Sequence, residues 1–144
     1  MYKNSEGYSD PTAGIAMSRM MKEYRQARKQ AWIKENDVKS RKKIYVVSAY
    51  SGNVESHISA AIAACRYVIA HKGIPIASHI LYAASGILDD RNPSERELGM
   101  MFGLALISLC DEVWVFGDIS PGMKHEICEA QKAGKQILFF KGAS

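Results

Sequence analysis

The stretch Glu112–Glu126, "EVWVFGDISPGMKHE", decides how the chain is read. "EVWVF" is rich in apolar and β-branched residues and shows little alternation, the pattern of a strand covered on both faces. Gly117 and Asp118 break the run. Ser120 then stands where a helix N-cap belongs, with Pro121 at the first helical position. The helix is expected to run to about Ala133, where Gly134 stops it, and "KQILFF" follows as another strand. A strand, a helix and a strand in that order form a parallel crossover unit.

The same alternation extends upstream. "KIYVVSAY" from Lys43 is a strand with the same two-sided apolar pattern, punctuated by "SGN". A helix is expected from about Val54 to His71, with Ile58, Ile62, Cys65 and Ile69 on one stripe and Gly73 ending it. "IPIAS" is a short second strand, in which Pro75 requires a position where no amide donor is needed. "HILYAASGILDDRN" is a longer connection. Asn92, Pro93 and Glu95 supply a capping box in its Asn form for a helix that runs to about Leu109. The order β-α-β-α-β-α-β predicts an α/β fold, a doubly wound parallel sheet of four or five strands of the flavodoxin-like or Rossmann-like kind. With strand order 2-1-3-4, the switch point lies between the first and third strands. It brings "SAYSGN" (48–53) beside "GDISPG" (117–122), so Ser48, Ala49, Tyr50, Ser51, Gly52, Gly117, Asp118, Ser120, Gly122 and Met123 are candidate ligand-binding residues.

An extra segment precedes this domain. Residues 1–9 read as flexible, and Asp10 and Pro11 as the start of a helix to about residue 35. Met17, Met20, Met21, Tyr24, Ala27 and Ala31 recur on one side of it, a stripe expected to pack on its own domain or on a second copy. Residues 1–43 carry a net charge of +6 and residues 44–144 a net charge of −2, within a total of +4. The basic character therefore belongs to the first segment, and two domains, 1–43 and 44–144, are expected. A solvated helix face explains the charge better than a nucleic-acid surface, because no aromatic residues interleave with the basic ones as a single-strand platform needs. No apolar run approaches 18 residues, so no membrane span is expected. Cys65, Cys110 and Cys128 match no zinc or disulfide spacing and are expected to be buried, reduced thiols of a cytoplasmic protein.

Several site chemistries fail on spacing. Gly117 and Gly122 are separated as in a Walker loop, but Met123 replaces the lysine and no hydroxyl follows Lys124. No dinucleotide fingerprint follows the first strand. His125–Glu126 is not a zinc motif, since Glu129 stands where the second histidine belongs, and His57, His71 and His79 have no metal spacing. No metal or other cofactor is expected. What survives is a helix N-terminus suited to an anion at Ser120, and a carboxylate, Glu126, in the second turn behind it.

With "IYVVSAYSGN", "IPIASHIL" and "SPGMKHE" in hand, residues Ile44 to Phe140 resemble the nucleoside 2-deoxyribosyltransferase superfamily. Within it they are most similar to the 2′-deoxynucleoside 5′-phosphate N-hydrolase branch and to related small phage and bacterial proteins. The resemblance implies a nucleoside or nucleotide ligand, Glu126 as the nucleophile at C1′ of the sugar, Tyr45 as its orienting partner, His79 in the loop after the second strand, and Ser120 against a 5′-phosphate. It also implies a homodimer or larger assembly. The family carries an Asp on the third helix, eight residues before the residue that opens the third strand. Counting eight back from Asp111 gives Gly103. Two functions are therefore carried forward: an N-glycosidase or deoxyribosyltransferase, and a nucleotide-binding module with little turnover. A DNA-associated or assembly role for the basic helix is a third.

Overall fold

The computed structural model describes residues 11–36, 38–50 and 52–141. The chain divides into two units, Met1–Ser40 and Arg41–Ser144. The first holds helix α1, Pro11–Asn36. Its Met17, Met20, Met21 and Tyr24 are all exposed. The expected flexible start and the Asp10 cap lie outside the described residues.

The second unit is built on β1 (Lys42–Val47), α2 (Val54–Ala70), β2 (Gly73–Ile76), a π-helical turn (His79–Ala84), α3 (Pro93–Leu109), β3 (Glu112–Phe116), α4 (Pro121–Lys132) and β4 (Gln136–Phe140). The strands form one four-stranded sheet in the order β2-β1-β3-β4, and every neighbouring pair is parallel. β1 and β3 are central. Ile44–Val47 and Val113–Phe116 are buried, as their unbroken apolar character requires, and Glu112 is buried with its carboxylate 2.8 Å from Lys42 Nζ. Pro75 sits on the edge strand β2, where a missing amide is tolerated. Among the described residues no helix is long and apolar enough to cross a membrane.

Strand alternation divides the core in two. Tyr45, Val47, Val113 and Val115 point to one face, where they meet Ile107 of α3 and Met123, Ile127 and Ala130 of α4. Ile44, Val46, Trp114 and Phe116 point to the other, against Ala64 and Val68 of α2. The sequence places the wrong stripe of α2 inward. Ala61, Ala64 and Val68 are fully buried, whereas Ile62 and Ile69 are each 48% exposed. α2 has apolar residues around much of its surface, so periodicity alone does not select a face. Small residues win because they let the helix approach the sheet closely.

The end of α2 also differs from expectation. Lys72 carries the left-handed turn, at φ 65°, and Gly73 opens β2 instead of ending the helix. Gly73 is there for space. A Cβ would stand 2.7 Å from Val68 Cγ1 and 2.8 Å from Ile44 Cγ1. The three cysteines do not share one environment: Cys110 is buried, Cys65 half-buried and Cys128 exposed. Cys128 lies between Ile127 and Glu129 on α4, and only Ile127 of the three faces the sheet.

The contact at Gly73 has a measurable consequence. Gly73→Ala forces Val68 and Ile44 apart in the core and is expected to cost about 1–3 kcal/mol. Urea unfolding measures it, and a midpoint unchanged from wild type would remove the packing argument.

Candidate active site

Carboxyl ends of β1, β2 and β3 converge on one cleft of about 140 Å³. β1 runs out into Ser48 and Tyr50, β2 into Ser78 and His79, and β3 into the turn before Ser120. The π-helical turn contributes Tyr82 and Ala83, and the connection after it Leu88 and Asp90. α3 adds Glu95, Arg96, Gly99 and Met100, and α4 adds Gly122, Met123 and Glu126. The position follows from the topology: strand order reverses between β1 and β3, so α2 and α4 leave on opposite faces and the crevice between them stays open.

Of the residues named from the sequence, Ser48, Tyr50, His79, Ser120, Gly122, Met123 and Glu126 line this cleft. Tyr45 lies beneath it, fully buried. Ala49 packs against the core, and Gly52, Gly117 and Asp118 do not line the cleft. Gly117 is used by the backbone: at φ 81° its amide donates to the Phe140 carbonyl and closes the end of the sheet. Ser51 falls outside the described residues. The sequence reading did not single out Ser78, Tyr82, Glu95, Arg96 and Gly99 as wall residues. Glu95 was legible in principle, because Glu95, Gly99 and Gly103 recur every four residues and so share a helix face.

Glu126 is the chemically unusual group. Its Oε2 is buried and has no hydrogen-bond partner. Burial raises its pKa to about 7, and the Tyr45 hydroxyl beside it opposes that rise. Tyr45 in turn is pushed well above the usual tyrosine range, first by burial and then by the Glu126 charge, so it stays a neutral donor. Its hydroxyl is hydrogen-bonded to the Ser78 Oγ at 2.8 Å. The hydroxyl thus stands between a serine and a carboxylate.

Gly103 lies directly under this pair. A Cβ there would stand 2.7 Å from the Tyr45 hydroxyl and 2.9 Å from the Ser78 Oγ. The place where the resembling family has an acid is therefore filled by two hydroxyls. Among the described residues that line the cleft, only Glu126, Asp90 and Glu95 bring carboxylates and only Arg96 brings a cation. Its Nε lies 4.0 Å from Asp90 Oδ1.

The other wall is aromatic and neutral. His79 Nε2 is 3.2 Å from the Ser48 Oγ, and its ring lies 5.4 Å from that of Tyr50. Burial and the neighbouring His57 lower its pKa to about 4, so the imidazole is uncharged at neutral pH. At the start of α4, the Met123 amide donates to the Ser120 carbonyl at 3.1 Å, and the Ser120 amide donates to the Met123 Sδ at 3.3 Å. Ser120 caps this helix and lines the cleft. Among the described residues no group of three His, Cys, Asp or Glu could hold a metal ion.

Residues 42–140 match the model of a family described as a domain of unknown function, DUF7768. No curated protein matches the chain. Among solved structures, a 2-deoxyribosyltransferase from the psychrotolerant bacterium Bacillus psychrosaccharolyticus is similar at a TM-score of 0.55 and 16% identity. The match covers 68% of this chain and 71% of that one. At that identity the likeness is one of fold.

Two outcomes check this geometry. Gly103→Ala is expected to cost about 1–3 kcal/mol, because Tyr45 and Ser78 must give way. An unchanged unfolding midpoint would mean the slot has room for a side chain. The second outcome concerns pH. Glu126 binds its proton more tightly folded than unfolded, so its contribution to stability falls as pH rises from 4.5 to about 7. His79 binds its proton less tightly folded, so its contribution rises from about pH 4 to 6.5. Each slope approaches about 1.4 kcal/mol per pH unit, and the two oppose each other where they overlap. Relative to wild type, Glu126→Gln should make stability climb with pH and His79→Asn should make it fall. Denaturant titrations at half-unit steps read the slopes, and parallel curves for all three proteins would contradict the burial of both groups.

Proposed function

We propose that the chain, which belongs to the DUF7768 family, processes nucleosides or nucleoside 5′-phosphates at C1′ of the sugar. The observation that carries this reading is Glu126: a carboxylate with a buried, unpartnered oxygen, opening on a cleft at the switch point of the sheet. Leaving such an oxygen without a partner is costly unless a ligand uses it. Its neighbour Tyr45 orients it. Support also comes from the fold, which is similar to that of a 2-deoxyribosyltransferase.

The chemistry follows from that carboxylate. Ionised Glu126 attacks C1′, the N-glycosidic bond breaks with its electron pair leaving on the base, and a glycosyl ester forms on Glu126. Water then releases the sugar, or a second base takes it, as in retaining glycoside chemistry. The departing base needs a proton, and the position that bears an acid in the resembling family is Gly103. In the finer form of this reading, Ser120 and the amides at the start of α4 receive a 5′-phosphate.

One observation favours a second reading. The slot at Gly103 is closed by Tyr45 and Ser78. A protein without that acid forgoes general-acid assistance of roughly 10²–10⁴-fold, which suits a module that binds a nucleotide and turns it over little.

Chromatography of a panel of deoxynucleosides and their 5′-phosphates separates the two. Under the enzymatic reading, free base appears, release rises with pH through about 7 as Glu126 ionises, and Glu126→Ala loses it by roughly 10³-fold or more. Under the binding reading the ligand raises the melting temperature by mass action and stays intact. Neither base release nor any thermal shift across the panel would end both.

A further inference from the structure

We infer that Asp90 and Glu95 form the nucleobase end of the cleft and select a base that carries an exocyclic amino group. The inference rests on the nucleoside reading above and goes beyond it by naming the class of base.

Three observations carry it. The first is the distribution of charge. Glu126, Asp90 and Glu95 line one cleft and Arg96 is the single cation among its described lining residues, already drawn toward Asp90. The Glu95 carboxylate makes no hydrogen bond or ion pair among the described residues; only its backbone amide is used, donating to Asn92 Oδ1 at 3.4 Å in the α3 cap. The second is the arrangement of elements. Glu126 rises from α4, whereas Asp90 and Glu95 come from the connection before α3 and from its first turn. Between them on α3 is Gly99, where Leu88 covers the wall, its Cδ1 3.3 Å from where a Cβ would be. A sugar with C1′ at Glu126 would direct its base along this apolar stretch of wall toward the two acids, in a cleft that Tyr50 and Tyr82 also line. The third is that Glu126 Oε2 in this same cleft is buried and unpartnered, so the cleft is incomplete without a ligand.

The chemistry of the two acids then discriminates among bases. An ionised carboxylate only accepts hydrogen bonds. One exocyclic amino group offers two N–H donors, one to each acid. A keto base such as uracil or hypoxanthine offers a single ring N–H beside carbonyl oxygens, and those oxygens face the carboxylates without a proton between them. A site built to hydrogen-bond one group rejects an analogue that leaves its own polar atoms unpaired.

The test uses matched pairs that differ at this group: 2′-deoxyadenosine against 2′-deoxyinosine, and 2′-deoxycytidine against 2′-deoxyuridine. Calorimetric titration of the full chain should give the amino member of each pair an affinity on the order of tenfold higher or more. In the double variant Asp90→Asn, Glu95→Gln, the side chains also donate, and the preference should vanish or invert. Equal affinity within the pairs, tighter binding of the keto member, no binding of any of the four, or an unchanged preference in the double variant would each overturn the inference. Base release is followed in the same samples. Turnover without amino preference sinks this subsite and leaves the glycosidic reading standing. Amino preference without turnover supports the subsite and sinks the enzymatic reading. The wild-type comparison stands alone should the double variant not fold.

Discussion

Everything in the cleft turns on the contact between the Tyr45 hydroxyl and the Ser78 Oγ, 2.8 Å apart above Gly103. Tyr45 belongs to the middle of β1, paired with Ile76 on one side and Val113 on the other. Such a residue is normally core and nothing more. Its length lets the hydroxyl leave the core and reach the strand ends, where a polar group must find a partner or bear the full penalty of burial. Ser78 is that partner, and Gly103 is the absence of a side chain that lets the two meet. The hydroxyl so fixed is what Glu126 encounters at the floor of the cleft.

That arrangement explains the electrostatics. Glu126 is held in a poorly solvated place with a neutral hydroxyl as its companion, and no cation is placed against it to draw its pKa back down. The histidine across the cleft is held neutral by the same exclusion of water. The floor is thus uncharged or weakly charged at neutral pH, while the formal charges of the site collect at its mouth, on Asp90, Glu95 and Arg96. An ionised carboxylate in so desolvated a place acts on nearby charge at short range with little screening.

The fold was legible because the strongest patterns in the chain are long-range consequences of local rules. Two unbroken apolar runs required central strands, helical spacers between strands required parallel pairing, and Pro75 required an edge. The site was legible where it depends on strand ends: Ser48, Tyr50 and Ser120 follow from the switch point, while His79 and the role of Glu126 were implied by the family resemblance. It was illegible where it depends on what fills space. Nothing in the local sequence says that Gly103 faces a tyrosine from a distant strand, or that α2 presents Ala61 and Ala64 inward and not Ile62. Glu95 was missed for another reason. It lies at a helix cap, and local sequence accounts for Asn92 and Glu95 as helix-start chemistry.

Gly103 therefore has a different meaning in the structure than in the sequence. Read along the chain, it is one small residue in an apolar helix. In three dimensions it is a position that accepts no side chain at all while Tyr45 and Ser78 hold their places. A larger side chain introduced there would have to displace Tyr45 and Ser78. The same face of α3 is covered by Leu88 at Gly99 and reaches Glu95, one turn further toward its N-terminus, as the next position with a polar side chain.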